Sequence, residues 1–373
     1  MPLAAALILC TALYVLLALS AVAVLLLNGG RPAYEETAPA DDSALPCVSV
    51  LVAARNEEAY IGRCMAALQR QDYPPGKLEL VVADDQSSDA TARIVRGLAA
   101  LDVRVVPVEV PPSRDGLRGK AHALHDALRH ARGELLLVTD ADCAPPPGWA
   151  RALARRFTDP DLGMVCGVTT VEHAAPVGDV QALDWLLLLG VASAASRVGL
   201  PLTAMGNNMA FRRTAYAEVG GYPALPFSVT EDYALFRAIH RTPRWRVQLL
   251  LDHRLANRTL PLPTLRQAFQ QRKRWARGGT SASVWAYGLY TAVFLAHALL
   301  TLGLFFTPLL AVILILLKCG ADLAVIAVAM RRLRQRGLLR SFPLFECFLF
   351  AYVLAMPFAL LLAPRIHWKG RTF

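Results

Sequence analysis

The chain lacks the features of a protein held together by cross-links. Its seven cysteines among 373 residues are scattered, and no two of them form a CxxC pair. An odd, unpatterned set of this kind argues against a disulfide or zinc framework and indicates reduced thiols in, or facing, the cytoplasm.

Charged residues are also scarce, at 18% of the sequence, yet they sum to a net charge of +10. This excess of positive charge calls for an anionic partner. The aromatic-and-basic pattern of a nucleic-acid-binding surface is not evident, so we expect lipid headgroups of the bilayer and nucleotide phosphates, and no nucleic acid.

Long apolar runs are what the sequence has in abundance, since 55% of its residues are hydrophobic. The first run, Leu3–Leu27, carries no charge and is long enough to cross a bilayer core of about 30 Å as a helix. A cleaved signal peptide fits less well, because the basic n-region is missing and the apolar stretch is too long. We therefore predict a transmembrane anchor over residues 1–28 and a polar linker over 29–46.

Residues 281–373 are predicted to form a C-terminal membrane domain of about three helices. The segments long enough to span are Ser283–Phe306, Pro308–Met330 and Pro343–Leu362. Lys318 and Asp322, one helical turn apart inside the second segment, are expected to pair with each other. Such a pair marks a function or simply packs one helix against another, and the sequence leaves both open.

A basic loop between the last two segments predicts the orientation. It contains Arg331, Arg332, Arg334 and Arg336, a mark of the cytoplasmic side. Two crossings after a cytoplasmic central domain return the chain to that side, which is consistent with an integral protein of the inner or cell membrane. A third crossing would place Arg365, Lys369 and Arg371 outside, whereas a re-entrant element kinked at Pro357 would not, and both remain possible.

The central region, residues 47–280, alternates between strand and helix patterns. Short, continuously apolar runs predict strands buried on both faces at Val48–Ala53, Leu78–Val82, Val103–Val108 and Glu134–Val138. Helical patterns lie between them at Glu57–Gln71, Ser88–Ala100 and Ala121–Ala131. This order predicts an α/β fold with a mostly parallel sheet, in which ligands bind beyond the carboxyl ends of the strands.

Polar residues follow the first two predicted strands directly, at Ala54-Arg55-Asn56-Glu57-Glu58 and at Asp84-Asp85. Helix capping explains part of this pattern. It does not require two adjacent aspartates at a strand end, where their repulsion is unfavourable. A ligand donor shared with them, such as a base N–H or a ribose hydroxyl, would offset that cost.

The fourth predicted strand leads into Asp140-Ala141-Asp142. Two carboxylates one residue apart at a strand end suit a hard divalent cation, which usually brings substrate phosphates with it. Such a cation would neutralise a leaving diphosphate. A solvated aspartate turn is the alternative, and only the position at the strand end favours the metal.

Three further segments have both structural and functional interpretations. Lys120, after Gly119 at the start of a helix, faces a phosphate or is a surface lysine. Thr230 is a plausible helix cap with Glu231 and Asp232 in the first turn, unless Asp232 is a general base. The segment 261–275 predicts a basic amphipathic helix at the membrane interface, with Leu262, Leu265 and Phe269 on one face.

The end of that helix carries Gln271, Arg274 and Trp275. Arg274 is placed to hold a diphosphate bidentately. A simple interface anchor is the alternative for Arg274 and Trp275.

In this order and spacing, the segments resemble the family 2 glycosyltransferases of GT-A fold, and within them the lipid-modifying branch similar to ceramide glucosyltransferases. The resemblance runs from about Val48 to Trp275. It covers the nucleotide-binding first turn (Val50–Glu58), the uracil- and ribose-contacting loop (Asp84, Asp85, Ser87 and Asp89), the metal DxD (Asp140 and Asp142), the acidic pair (Glu231 and Asp232) and the QxxRW motif (Gln271–Trp275). The closing Trp368–Arg371 also looks like the tail of lipid-modifying relatives.

The resemblance implies an inverting, metal-dependent transfer of one sugar from a nucleotide-diphosphate-sugar, with UDP expected, to the hydroxyl of a membrane lipid. Its implied donor-binding residues are Ala54, Asn56, Glu58, Asp84, Asp85, Lys120, Asp140, Gln271 and Trp275. Asp142, with Asp140, would hold Mg²⁺ or Mn²⁺, and Asp232, Glu231 and Arg274 would be the catalytic residues.

The chain departs from the family at Gln86 and Ser88, where Gly and Thr are usual, and in its short membrane part. The short membrane part favours a single transfer over a polymer channel. A processive polysaccharide synthase and a non-catalytic membrane scaffold remain as alternatives, separated by product analysis and by the effect of replacing Asp142 and Asp232.

Overall fold

A computed structural model describes residues 2–27, 42–113, 116–173, 175–278, 284–362, 367–368 and 371–372. The chain divides into two compact units. The sheet unit comprises Ala33–Thr170 and Thr203–Leu260, and the helical unit comprises Met1–Pro32, Val171–Leu202 and Pro261–Phe373. The helical unit thus includes a segment, 171–202, that lies inside the predicted central region.

The strands are β1 (Val48–Ala54), β2 (Leu78–Asp84), β3 (Val105–Glu109), β4 (Leu135–Asp140), β5 (Leu162–Cys166), β6 (Thr169–Val171), β7 (Asn208–Arg212), β8 (Arg246–Leu249), β9 (Asn257–Thr259), β10 (His367–Trp368) and β11 (Arg371–Thr372). The helices are α1 (Pro2–Leu27), α2 (Ile61–Gln69), α3 (Thr91–Ala99), α4 (Gly119–His130), α5 (Trp149–Ala154), α6 (Ala175–Arg197), α7 (Arg213–Glu218), α8 (Gly221–Ala224), α9 (Glu231–His240), α10 (Leu265–Gly278), α11 (Val284–Phe306), α12 (Pro308–Leu333) and α13 (Phe342–Leu362).

The sheet unit is built on a seven-stranded sheet in the order β3-β2-β1-β4-β7-β5-β8. Its first four strands are parallel, β7 runs antiparallel to β4 and β5, and β8 is parallel to β5. Buried Val and Leu side chains fill both faces of β1, β2 and β4, as their apolar runs predict. The predicted mostly parallel α/β sheet is confirmed.

Register brings the carboxyl ends of three strands to one edge of the sheet. Ala54 of β1 lies opposite Asp84 of β2, and Ala53 lies opposite Asp140 of β4. We call this edge, with the loops that follow it, the rim. Because the strands are parallel, polar residues far apart in sequence meet there.

Among its described residues, the helical unit contains five helices long and apolar enough to cross a membrane: α1, α11, α12, α13 and most of α6. The sequence predicts the first four. Pro357 lies inside α13, which runs unbroken from Phe342 to Leu362. Of the basic tail, Arg365, Lys369 and Gly370 lie outside the described residues, and so does most of the predicted linker.

Helix α6 is not predicted by the sequence analysis. It is less apolar than the other four helices. The acidic residues Asp179 and Asp184 account for part of that difference. They are accommodated because each has a basic or hydroxyl partner within the unit: Asp179 binds Ser341 Oγ at 3.0 Å, and Asp184 pairs with Arg272.

Lys318 and Asp322 pair as predicted, at 2.8 Å, and the structure extends the pair into a cluster. Lys318 Nζ also lies 2.5 Å from Glu346 Oε2, and Tyr14 donates a hydrogen bond to Asp322 at 2.7 Å. The cluster joins α1, α12 and α13. Its position between helices favours a packing role for these charges.

Helix α10 differs from the predicted interfacial helix in its limits. It begins at Leu265, so Leu262 lies outside it, and it ends at Gly278. Its buried residues are Ala268, Arg272, Lys273 and Gly278, and its place at the membrane interface stays a prediction. The ion pair between Arg272 and Asp184 of α6 explains why a basic residue faces inward.

Candidate active site

The first two loops of the rim hold each other in place through side-chain hydrogen bonds. Ser88 N donates to Asn56 Oδ1 at 2.8 Å, and Ala90 N donates to Glu58 Oε2 at 2.9 Å. Asn56 adopts a φ of 53°, which asparagine tolerates better than most residues. Asn56 and Glu58 thus shape the rim, while the adjoining Ala54 is buried at the end of β1.

Asp84 and Asp85 follow β2, and the structure shows what offsets their repulsion. Arg55 Nη1 donates to the main-chain oxygen of Asp85 at 2.6 Å and lies 3.9 Å from its carboxylate. The sequence analysis gave Arg55 no such role. Asp84 Oδ2 accepts from Ser87 N at 3.2 Å, whereas its buried Oδ1 has no hydrogen-bond partner among the described residues. That oxygen suits an N–H or O–H donor of a ligand.

Asp140 ends β4, and Asp142 follows two residues later on the rim. The Cys64 thiol donates to the main-chain oxygen of Asp140, and the Cys143 thiol donates to Asp142 Oδ1, both at 3.4 Å. Burial, followed by the negative charges of Asp142 and Asp140, raises the pKa of both thiols. They therefore act as neutral donors that brace the two aspartates. No sequence pattern marked Cys64 for this role, whereas Cys143 directly follows the motif.

Lys120 joins two of the predicted acidic motifs. Its Nζ lies 2.6 Å from Asp140 Oδ1 and 3.4 Å from Glu231 Oε1, and it donates to Gly206 O at 3.0 Å. Burial alone would favour the neutral amine, but the charges of Asp140 and Glu231 raise the pKa of Lys120 above its ordinary value. Lys120 is thus a charged, mostly buried centre of the site and not a surface lysine.

Asp232 is fixed at the start of α9 by two backbone donors. Gly206 N donates to Asp232 Oδ2 at 2.6 Å, and Tyr233 N donates to Oδ1 at 2.8 Å. Burial, and then the neighbouring Glu231, raise the pKa of Asp232 to about 6. Thr230 precedes the helix but makes no side-chain capping hydrogen bond. The capping interpretation of this segment is therefore incomplete, and a base poised near neutral pH fits it better.

Position 206 requires a glycine because the Asp232 carboxylate lies directly against it. A Cβ added at Gly206 would lie 2.8 Å from Asp232 Oδ2 and 2.9 Å from its carboxyl carbon. Only glycine allows the backbone N–H this close to the carboxylate.

The donor set at the rim fits a divalent cation that also binds phosphate. Among the described residues, no group of three or more His, Cys, Asp or Glu side chains is arranged to hold a metal by itself. Asp140 and Asp142 supply two hard oxygen donors, and Asp140 remains partly exposed. Mg²⁺ in particular is usually held by one or two carboxylates together with substrate phosphates and water.

The predicted residues Gln271, Arg274 and Trp275 belong to the helical unit, on α10. There, the ring of Trp275 packs against Trp185 of α6 with centroids 5.3 Å apart. The Arg272 guanidinium lies 4.6 Å above the Trp275 ring and pairs with Asp184. These contacts fix the orientation of the helix end that carries Arg274, and the roles given to Gln271, Arg274 and Trp275 in binding stay predictions.

The comparison with protein families identifies one model over nearly the whole chain. Residues 3–373 match the glycosyl transferase family 21 model. The predicted resemblance to lipid-modifying glycosyltransferases is thereby confirmed.

The curated relatives include both a glycolipid synthase and a polysaccharide synthase. The chain is 28% identical over 245 residues to a beta-monoglucosyldiacylglycerol synthase of Synechocystis, covering 65% of this chain and 50% of that protein. It is 26% identical over 236 residues to a poly-beta-1,6-N-acetyl-D-glucosamine synthase of Staphylococcus epidermidis, covering 62% and 54%. The chain thus spans about half the length of these relatives.

One solved structure matches this chain over nearly its full length. It is a mannosyltransferase from Pyrobaculum calidifontis in complex with GDP-Man and Mn²⁺, 25% identical, with a TM-score of 0.59. The alignment covers 96% of this chain and 99% of that protein.

Proposed function

The chain belongs to glycosyl transferase family 21, and from this premise we propose that it transfers one sugar from a nucleotide-diphosphate-sugar to the hydroxyl of a membrane lipid with inversion at the anomeric carbon. The observation that carries the proposal is Asp232. Its carboxylate is held by two backbone N–H groups, and its pKa, near 6, is suited to a general base at neutral pH.

The rim supplies the donor site in this proposal. Asp84 and Asp85 accept from the nucleoside, and Asp140 and Asp142 hold Mg²⁺ or Mn²⁺. When bound there, the cation supplies charge neutralisation to the departing diphosphate. Lys120 keeps the Asp140 carboxylate oriented and adds a positive charge nearby. UDP is the nucleotide expected from the family resemblance, although the solved relative holds GDP-Man.

Asp232 takes the proton from the acceptor hydroxyl as that oxygen attacks the anomeric carbon. The bond between this carbon and the diphosphate oxygen breaks on the opposite face, so one displacement inverts the configuration and leaves no enzyme-bound sugar. Arg274 is assigned to the departing diphosphate, a contribution typically worth about 3 kcal/mol for a single donor.

The lipid acceptor is supported by the apolar helices and by the diacylglycerol-modifying relative. The basic loop between α12 and α13 supports a cytoplasmic sheet unit, because α11 and α12 form a pair of crossings that begins and ends on one side. A processive synthase is the second candidate, favoured by the similarity to the Staphylococcus epidermidis polymer synthase.

The test uses the full chain in lipid nanodiscs with Mn²⁺ or Mg²⁺, a panel of labelled UDP-hexoses and GDP-mannose, and a total lipid extract as acceptor. We expect one glycolipid band, whose anomeric configuration is opposite to that of the donor. A ladder of products establishes the polymer synthase instead.

Substitutions test whether the aspartates of the rim are needed for metal-dependent sugar transfer. Asp142→Ala is expected to abolish metal-dependent transfer while the circular dichroism spectrum stays unchanged, since Asp142 is a partly exposed loop residue. Asp161→Asn, at an exposed aspartate away from the rim, is the matched control and should retain full activity. Equal loss in both variants, or in neither, contradicts the metal assignment.

A further inference from the structure

The sheet unit contains a cavity that none of the assignments above uses. It has a volume of about 150 Å³ and is lined by the loop before α4 and its first turn, by α8 and the loop after it, and by the first turns of α9. Leu117, Leu225 and Phe227 provide apolar walls, and Arg118, Tyr222 and Glu231 provide polar groups. Apolar walls with a few placed polar groups are typical of small-molecule sites.

Tyr222 is the group that points to a ligand. Its side chain is 2% exposed, yet its hydroxyl has no hydrogen-bond partner among the described residues. Burial, and then the charge of Glu231, raise the pKa of Tyr222 well above its ordinary value, so the hydroxyl remains a donor. A buried hydroxyl without a partner is unfavourable unless a ligand supplies the missing acceptor.

The ring of Tyr222 is held rigidly. Tyr216 packs edge-on against it with centroids 5.5 Å apart, and the Tyr216 hydroxyl accepts from Tyr222 N at 3.0 Å. Tyr216 in turn stacks on Phe211 of β7. The unpaired hydroxyl is therefore presented by a fixed side chain, which reduces the entropic cost of binding.

Glu231 connects this cavity to the rim. It lines the cavity, and its Oε1 lies 3.4 Å from Lys120 Nζ, which itself lies 2.6 Å from Asp140 Oδ1. One ammonium group, that of Lys120, thus separates the cavity from Asp140, which is assigned to the divalent cation. The next residue along α9, Asp232, is the proposed base.

We propose that this cavity binds the sugar ring of the donor, with the Tyr222 hydroxyl and the Glu231 carboxylate contacting sugar hydroxyls. The inference rests on the proposed function and adds the residues that select the sugar. The sugar is the part of the donor that extends beyond the diphosphate, and its ring presents both hydroxyls and apolar C–H faces. Leu225 and Phe227 suit those faces, whereas a buried carboxylate does not suit a lipid chain.

The first experiment separates sugar binding from nucleotide binding. Tyr222→Phe removes only the hydroxyl, and we expect it to raise the KM for the donor sugar-nucleotide about tenfold, the effect of one lost hydrogen bond. The Kd for UDP alone, or GDP if GDP-mannose is the donor, should not change. Tyr73→Phe is the matched control, because it also removes a mostly buried tyrosine hydroxyl, one that donates to Pro46 O at 2.6 Å.

The second experiment reduces the volume of the cavity by enlarging a side chain that lines it. Ala234→Leu adds bulk there, so UDP-glucose turnover should fall at least tenfold relative to UDP-xylose, which lacks the sixth carbon. An unchanged donor KM in Tyr222→Phe together with an unchanged sugar preference in Ala234→Leu overturns the inference. A raised KM for the lipid acceptor alone reassigns the cavity to the acceptor. A wild-type chain that transfers no sugar contradicts the proposed function itself.

Discussion

Asp232 is the residue on which the proposed chemistry depends most directly. Replacing it by asparagine keeps its shape and its capacity to accept from Gly206 N, but removes the base. We expect Asp232→Asn to lower kcat by about 10²- to 10⁴-fold, with the Kd for the nucleotide largely preserved. Steady-state kinetics and calorimetry measure the two quantities. Near-normal turnover would mean that another group takes the proton.

The pH dependence follows from the raised pKa of the same carboxyl. A base must be deprotonated to act, so kcat/KM should decline as the pH falls through about 6. An aspartate at the ordinary value of 3.8 would give that decline about two units lower. A pH–rate profile between pH 4.5 and 8 distinguishes the two, and a flat profile down to pH 5 contradicts the assignment.

Gly206 offers a backbone test of the same site. Gly206→Ala places a methyl group in contact with the Asp232 carboxylate, so we expect at least a tenfold loss of kcat/KM through displacement of the base. Gly62→Ala on α2 is the control, because nothing lies within 4 Å of its new Cβ and alanine favours a helix. Equal activity of the two variants would show that the contact with Asp232 does not control the rate.

At the scale of elements, α6 differs from the other long apolar helices in how much of it is buried by protein. The chain enters α6 after β6 and continues from α6 to β7. Of the most apolar stretch of α6, 78% is buried inside the protein, against 22% to 39% for the other four helices. This fits a helix covered mainly by protein.

The ion pair between Arg272 of α10 and Asp184 of α6 should stabilise the helical unit. Both side chains are less than 10% exposed, so removing one partner leaves a buried unpaired charge. We expect Arg272→Met to lower the free energy of unfolding by about 3 to 5 kcal/mol. Arg266→Met, at an exposed position of the same helix, should change it by less than about 0.5 kcal/mol.

Thermal unfolding followed by tryptophan fluorescence measures both variants. Combining Arg272→Met with Asp184→Leu removes both charges and should recover part of the loss. If the double variant is as unstable as the sum of the single variants, the two residues are not coupled.

At the scale of the whole molecule, the proposed orientation places the sheet unit in the cytoplasm. Cys47 is exposed just before β1, whereas the other cysteines are buried or lie on apolar helices. We expect a membrane-impermeant maleimide to label the chain in inside-out vesicles and not in intact cells. Cys47→Ser should remove that labelling, and labelling from the outside would reverse the proposed topology.

The sequence by itself determined the parts of this protein that depend on local pattern. Continuous Val and Leu runs gave β1, β2 and β4, since strands buried on both faces need apolar side chains throughout. The uncharged run of α1 predicted a long apolar helix. The four-residue spacing of Lys318 and Asp322 predicted their ion pair. The positions of Asp84 and Asp140 at strand ends followed from the same runs, because a parallel sheet gathers those ends at one edge.

Only the tertiary structure decided which distant residues meet. The contacts of Lys120 with Asp140 and Glu231, of Gly206 with Asp232, and of Asp184 with Arg272 join positions 20 to 111 residues apart. Periodicity reports which face of an element is buried, but not what that face touches. Packing of the whole chain sets those contacts, and they bring acidic motifs that are far apart in sequence together.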